Sequence, residues 1–308
     1  MSLFLKLFLA PFLVMASHPP KSDLSLNLKI GETYTLEFSN TTVSSVMDLT
    51  GDDFVFENEQ TSNTSKLNFK VENFENGVYD FTCSYEEMSF HTSYPDNLGS
   101  VNTQHLEKDD FILINEVLHK PFRVQMTEKG KIVAVQGIED IYLAIISNEF
   151  GDIGKLEKHR ILFLLQDVLN EEVFSKQLEM ATFFLPEKDV SPGNSWKHTS
   201  TYKEGFMETK TKSKYSFENS NTTAHILYEQ TKIKKKGVDE NPEDQTVAKI
   251  IYDIGGTIEA TIYIDKESNW IQHVMYKTKM SGEIKMNMKK GGENKTLPFN
   301  LSEFGSIH

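Results

Sequence analysis

The chain has 308 residues, 38% hydrophobic and 25% charged, which is enough apolar material for a sizeable core and too much for a chain that stays disordered. Its formal charge of −13, from 45 acidic and 32 basic residues, repels phosphate backbones and anionic lipid surfaces at long range and argues against nucleic acid as a partner. Only Arg123 and Arg160 are arginine, so the guanidinium forks that read phosphates and base edges are nearly missing, and one cysteine, Cys83, excludes an internal disulfide.

The first segment reads as an address. An apolar run from Leu7 to Met15 follows Lys6, and Val14-Met15-Ala16 supplies the small residues of a cleavage site, so residues 1–16 are expected to be a signal peptide. The run is about half of the ~20 apolar residues a membrane span needs, and Pro11 interrupts it, so no stable membrane span is expected. The mature protein is then exported, to the periplasm or outside the cell.

Strand patterning begins at once. Leu24, Leu26 and Leu28 share one face, and Tyr34, Leu36 and Phe38 repeat the period of two after Gly31. Further strands are expected at Val43 to Leu49, Phe54 to Phe56, Leu67 to Glu72, Val78 to Glu86, Phe122 to Met126 and Lys131 to Val135, with turns at Glu75-Asn76-Gly77 and Glu128-Lys129-Gly130. Cys83 shares a strand face with Tyr79, Phe81 and Tyr85 and reads as a small core residue, not a nucleophile. Near Glu139 the period changes: Ile141, Tyr142, Ile145, Ile146 and Phe150, then Ile161, Leu164, Leu165, Val168 and Leu169, then Val173, Phe174, Gln177 and Leu178 recur at helical spacing.

Strands return after Pro192-Gly193, at Trp196 to Tyr202, Glu208 to Phe217, Thr223 to Thr231, Lys249 to Ile254, Thr257 to Ile264 and Ile271 to Met288. Lys232 to Gln245 reads as a solvated hairpin with a basic stem and an acidic tip, with a binding patch as the alternative. Gly255-Gly256 precedes a strand and reads as a bulge or hairpin. The residues from Gly291 carry few apolar pairs and are expected to fray.

Two halves share a layout: Gly31-Glu32-Thr33-Tyr34 matches Gly193-Asn194-Ser195-Trp196, and Ser65 to Phe69 matches Ser213 to Phe217. The expected fold is therefore mainly β with a helical insertion (α+β): a curved antiparallel sheet from two pseudo-repeated strand groups, covered by about three helices. The expected layout is a single β-rich domain over 17–290, with the insertion at 139–184 and a frayed C-terminal tail at 291–308.

Chemistry is sparse. The nine histidines are scattered singly, no metal-site spacing is present, and neither a Gly-x-Ser-x-Gly elbow nor a phosphate-cradling loop occurs, so no catalytic residue, metal or cofactor is assigned. Trp196 and Trp270 read as large residues closing sheet ends. Asn40, Asn63, Asn221, Asn294 and Asn300 open Asn-x-Ser/Thr triplets that polar turns and strand ends already account for.

The residues Lys120-Pro121-Phe122-Arg123-Val124, Glu128 to Ile132, Val135-Gln136-Gly137, Phe184-Leu185-Pro186 and Val190 with Gly193-Asn194-Ser195-Trp196 resemble the pattern of an uncharacterised exported family of Bacteroidota, often lipoproteins. The family usually has Asp where this chain has Asn194. The architecture this implies is similar in outline to envelope carriers of the LolA and LprG type. The leading expectation is a non-catalytic exported protein that binds a lipid or other apolar ligand between sheet and helices, near Ile145, Ile146, Leu164, Leu165 and Val168. The alternatives are a structural or interaction protein with an envelope partner, and a hydrolase of envelope polymers.

Overall fold

The computed structural model describes residues 22–48, 55–93, 118–141, 144, 171–204, 206–221, 223–240, 247–289 and 292–308. Five strands come first: β1 (Thr33–Asp48), β2 (Val55–Glu75), β3 (Val78–Ser93), β4 (Phe122–Thr127) and β5 (Ile132–Gln136). Helix α1 (Glu171–Thr182) follows, and then β6 (Ser195–Glu204), β7 (Met207–Ser220), β8 (Ala224–Asp239), β9 (Val247–Asp265), β10 (Ile271–Met288) and β11 (Lys295–Ile307). All eleven strands join one antiparallel sheet in the order β5-β4-β3-β2-β1-β11-β10-β9-β8-β7-β6. Each half is a meander, and β1 and β11 meet at the centre, where Phe38 lies opposite Ile307 and Ser44 opposite Leu301. Strands β5 and β6, consecutive in sequence, are left at the two outer edges.

The sheet is rolled. Eleven strands span roughly 48 Å along the arc, yet α1, about 18 Å long at 1.5 Å per residue, packs against β5 at one edge and reaches β6 at the other. The edges therefore approach each other at this end, and one apolar cluster joins inner side chains of both halves, from Phe69, Phe81 and Val124 to Phe217, Leu227 and Ile262. Glycines permit the bending. A Cβ on Gly256 would lie 2.2 Å from the Lys279 carbonyl oxygen, and one on Gly282 would lie 2.2 Å from that of Asp253.

The expected α+β architecture, with about three covering helices, is not formed. The protein is nearly all β, and among the described residues helix is confined to two short stretches, one beginning at Ile138 and the other α1. The alternating apolar residues find their partners mostly across the rolled sheet, so few covering elements are needed to bury them. Helix α1 coincides with the third helical reading; Ile145, Ile146, Leu164, Leu165 and Val168 lie outside the described residues, as does the segment 1–16.

Four further readings are corrected. Residues 291–308 were expected to fray, yet β11 occupies the middle of the sheet and pairs on both sides, with β1 and β10. The basic stretch after Thr231 is one stem of the β8–β9 hairpin, as far as Asp239, but it belongs to the sheet and buries Ile233, so it is not solvated throughout. Gly255 and Gly256 lie inside β9. Leu24, Leu26 and Leu28 are buried on one face, but their backbone is not a strand. That segment crosses the end of the sheet and spends its hydrogen bonds on turns and a side chain: the Leu26 amide donates to the Glu128 carbonyl (2.7 Å), Asn27 to Ser268 (2.8 Å) and Leu28 to the Tyr79 hydroxyl (3.0 Å). Extended backbone with period-two burial thus arises without a ladder partner.

The glycine-to-aromatic turn recurs in three dimensions. Gly31 (φ 86°) donates to the Val71 carbonyl and Gly193 (φ 88°) to that of Phe217, and Tyr34 and Trp196 then pair with Phe69 and Tyr215. The matching second-strand residues are thus Phe69 and Tyr215, two positions away from the alignment of Ser65–Phe69 on Ser213–Phe217.

Candidate functional site

The inner face of β8 to β11 changes character from one end to the other. At the end closed by the leucine segment, Leu227, Ile262, Val274 and Ile307 form a buried row of the core. The two rows above it are polar: Glu229, Ala260, Tyr276 and Gly305 lie side by side, followed by Thr231, Ile258, Thr278 and Glu303. The next rows are mostly apolar and rich in glycine. Ile233, Gly256, Met280 and Leu301 form the first of them, and Ile254, Gly282 and Phe299 lie in the second, to which β8 contributes one cation, Lys235. A further cluster of Val247, Met286 and Leu297 lies towards the far end. The face is therefore an apolar lining with glycine gaps above a polar belt, on a solid base.

The belt is dominated by acceptors. Tyr276 donates its hydroxyl to Glu303 (2.8 Å), and the Asn40 amide from β1 donates to the same carboxylate (3.1 Å). Asn40 faces Asn63 of β2, and the side-chain oxygens of both are buried without a hydrogen-bond partner among the described residues, as is the Thr209 hydroxyl of β7. Leaving a buried polar group unpaired costs about 1–3 kcal/mol. On the other wall, Glu229 accepts from Thr231 (2.5 Å) and Tyr215 (3.5 Å), and the Thr231 and Ser213 hydroxyls lie within hydrogen-bond distance of each other (2.6 Å). Burial pushes the Glu229 carboxyl above its ordinary value and pushes the Tyr215 and Tyr276 hydroxyls up.

The raised Glu229 value carries a stability signature. Its folded-state value lies above that of the unfolded chain, so its contribution is fully present below the ordinary glutamate value of 4.5 and is lost as pH rises through the folded value. Glu229→Gln keeps an acceptor for Thr231 and removes the charge. Urea denaturation at pH 4 and pH 8 is expected to show the variant gaining stability over the parent at the higher pH only; an equal offset at both would refute this reading of Glu229.

The closed end of the rolled sheet is built by α1 and the strap that follows it. Phe174 packs edge-on to Phe122 (5.4 Å) and Tyr85 (6.5 Å), and the Thr182 hydroxyl donates to the Gly130 carbonyl (2.7 Å). The strap then crosses to β6: the Trp196 indole donates to the Phe184 carbonyl (2.8 Å), and His198 stacks on Phe183 (4.1 Å) with its Nε2 3.1 Å from the Leu185 carbonyl. Burial lowers the His198 value, which favours the neutral ring. Trp270 donates to the Thr35 carbonyl (3.2 Å) and packs on Phe69 (5.4 Å). Cys83 is fully buried, which pushes its thiol well up and makes it a poor nucleophile.

A separate concavity of ≈ 600 Å³ lies on the opposite face of β2 to β5, lined by residues such as Glu72, Asp80, Arg123, Gln125 and Gln136. Its polar groups already engage one another or their neighbours, Gln125 with Asp80 (2.7 Å) and Glu72 with Lys70 (3.1 Å), and it offers little apolar lining. The inner face of the rolled sheet, with its polar belt and apolar rows, is the stronger candidate. The sequence reading left out Glu229 and Glu303 and assigned Asn40 and Asn63 to polar turns and strand ends, whereas both asparagines lie inside paired strands; for Glu229, a polar residue at an inner position of a strand with a period of two was the available signal. Among the described residues no group of three metal-ligating side chains assembles, and no helix is long and apolar enough to cross a membrane.

Residues 76–271 match the family of unknown function DUF6263, and the chain belongs to that family. No curated protein matches. Among solved structures, one titled for lipid-protein interactions in lipovitellin aligns at 10% identity with a TM-score of 0.45, covering 91% of this chain and 25% of its own. The chain thus spans about a quarter of that protein's length. An outer membrane channel from Pseudomonas putida F1 aligns at 6% identity and a TM-score of 0.18, covering 92% of this chain and 98% of its own. Salmonella typhi OmpF aligns at 7% and 0.22, covering 90% and 97%. At these scores none carries a fold or a function over to this chain. The family match supports the coarser part of the sequence resemblance, a family without an assigned activity; the Bacteroidota source and the kinship with LolA- and LprG-type carriers gain no support from it.

Proposed function

We propose that this is a non-catalytic, exported binding protein that holds an apolar molecule with a hydrogen-bond-donating head in the hollow of its sheet. The observation that supports this is the acceptor belt beneath the apolar rows: two carboxylates and two unpartnered asparagine oxygens lie next to a lining of Ile233, Ile254, Met280 and Leu301. Donors on a ligand head would satisfy those oxygens, and its chain would lie along the glycine gaps. An anionic head would meet like charge. The sequence places the ligand between sheet and helices, near residues that lie outside the described ones; this proposal rests on the lining that the sheet itself supplies.

Monoolein, whose head carries two hydroxyl donors, and oleate, whose head is a carboxylate, share one chain and separate the two cases. Calorimetric titration at pH 8 is expected to show monoolein binding at least tenfold more tightly than oleate, and native mass spectrometry after mild extraction is expected to show a co-purifying apolar molecule. A protein that emerges empty and binds neither probe overturns the proposal.

A further inference from the structure

The outer face of the second half of the sheet carries an array of lysines. On β7, Lys210, Lys212 and Lys214 point outward, and on β8 so do Lys232, Lys234 and Lys236; all six are exposed. The register sets Lys210 opposite Lys234 and Lys212 opposite Lys232, while Lys214 faces Lys197 of β6 on its other side. Directly opposed like charges on a sheet are destabilising. Ion pairs relieve only one end of the array, where Lys210 meets Glu208 (2.6 Å) and Lys236 meets Asp253 (3.0 Å). Lys212, Lys214, Lys232 and Lys234 have no ion-pair partner among the described residues; beyond β9, whose outer face carries Thr257 and Glu259 there, Lys277 and Lys279 add two more lysines on β10, Lys277 opposite Glu259. The outer face of the first half is balanced by contrast: Lys66 pairs with Glu86 (2.8 Å) and Lys70 with Glu72 (3.1 Å).

We propose that this lysine face docks the protein on a bilayer containing anionic phospholipid. Three features favour a membrane over an acidic protein. The cations are lysines, which act as point charges towards a diffuse negative surface, whereas bidentate recognition of particular carboxylates favours arginine. They are spread over neighbouring strands and do not converge on a pocket. Apolar side chains stand beside them: Tyr228 and Met275 occupy the adjoining outer row at 37% and 50% exposure, and Phe304, 51% exposed, lies under the Lys277 ammonium at 4.8 Å. Such groups enter the headgroup region while the lysines pair with phosphates. The overall charge of −13 does not prevent this, because at physiological salt fields are screened within about 8 Å and each face presents its own charge. The proposal stands on the outer face alone and holds whether or not the hollow binds a ligand.

Vesicle flotation of the full chain tests it. With 30% phosphatidylglycerol in phosphatidylcholine the protein is expected to float at 50 mM salt and to be released at 0.5 M, and with phosphatidylcholine alone it is expected to stay behind. At about 1 kcal/mol per lysine near such a surface, the triple variant Lys212→Glu, Lys232→Glu, Lys234→Glu is expected to lose binding about 100-fold or more. A second set, Lys214→Glu with Lys277→Glu and Lys279→Glu, is expected to act alike and guards against a folding defect in the first, with thermal melting run on both. Lys66→Glu with Lys70→Glu, on the balanced half, is expected to bind nearly as the parent does. Equal binding to both vesicle types, no flotation with phosphatidylglycerol at low salt, or retention on polyglutamate without vesicle binding would each overturn the proposal, the last in favour of an acidic macromolecule.

Discussion

Phe69→Ala is expected to remove about 3–5 kcal/mol of stability, the range for deleting a fully buried aromatic ring. Phe69 is wholly buried, packs edge-on against Phe81 (5.7 Å) and against Trp270 (5.4 Å), and links the inner faces of β2 and β3 to the indole that closes the β9–β10 turn. Its loss opens a cavity where the two halves of the rolled sheet meet, and neither half can collapse into it without disturbing the paired strands. Scanning calorimetry is expected to record a fall in melting temperature of roughly 6–20 °C. Met275→Ala, half exposed on the outer face, is the control and is expected to change stability by about 0.5 kcal/mol or less. Comparable losses for the two variants would mean that the core does not run through Phe69.

Gly130→Ala is expected to be the second most damaging change. The residue has φ of 84°, where an L side chain is strained by about 1–2 kcal/mol, and an added Cβ would lie 1.9 Å from the Thr182 carbonyl oxygen. The turn between β4 and β5 would have to part from the C-terminus of α1. Gly31→Ala separates the two causes, because Gly31 has nearly the same φ (86°) with nothing within 4 Å of its Cβ position. Urea denaturation is expected to place Gly130→Ala well below Gly31→Ala, and hydrogen exchange is expected to speed up in β5 and α1 in the first variant alone. Equal losses in both would mean that the close approach to Thr182 contributes nothing.

What the sequence made legible was burial, more than the partners that produce it. The period of two at Tyr79, Phe81 and Cys83 marked the buried face of β3, and the same period at Leu24, Leu26 and Leu28 marked burial equally well where no strand exists. Alternation records which side chains face the core, and backbone pairing depends on distant residues that one sequence does not display. The tail was misread for a related reason. Leu297, Phe299, Leu301 and Ile307 keep the period in β11, but Glu303 and Gly305 interrupt it on the same face, and its two partners lie far away or across a turn. The lysine stretch of β8 looked solvated because its outward positions are; Ile233, buried between Lys232 and Lys234, shows the other face. The acceptor belt was invisible because its members, Asn40, Asn63, Glu229 and Glu303, come from four strands and become a group only when the sheet rolls.

The hollow is tested most directly by intermolecular NOE spectroscopy of methyl-labelled protein saturated with unlabelled monoolein. Contacts from the acyl chain to the methyl groups of Ile233, Ile254 and Leu301, with none to Val238 or Met275 on the outer face, are the predicted result. Contacts confined to the outer face, or none at saturation, would contradict it.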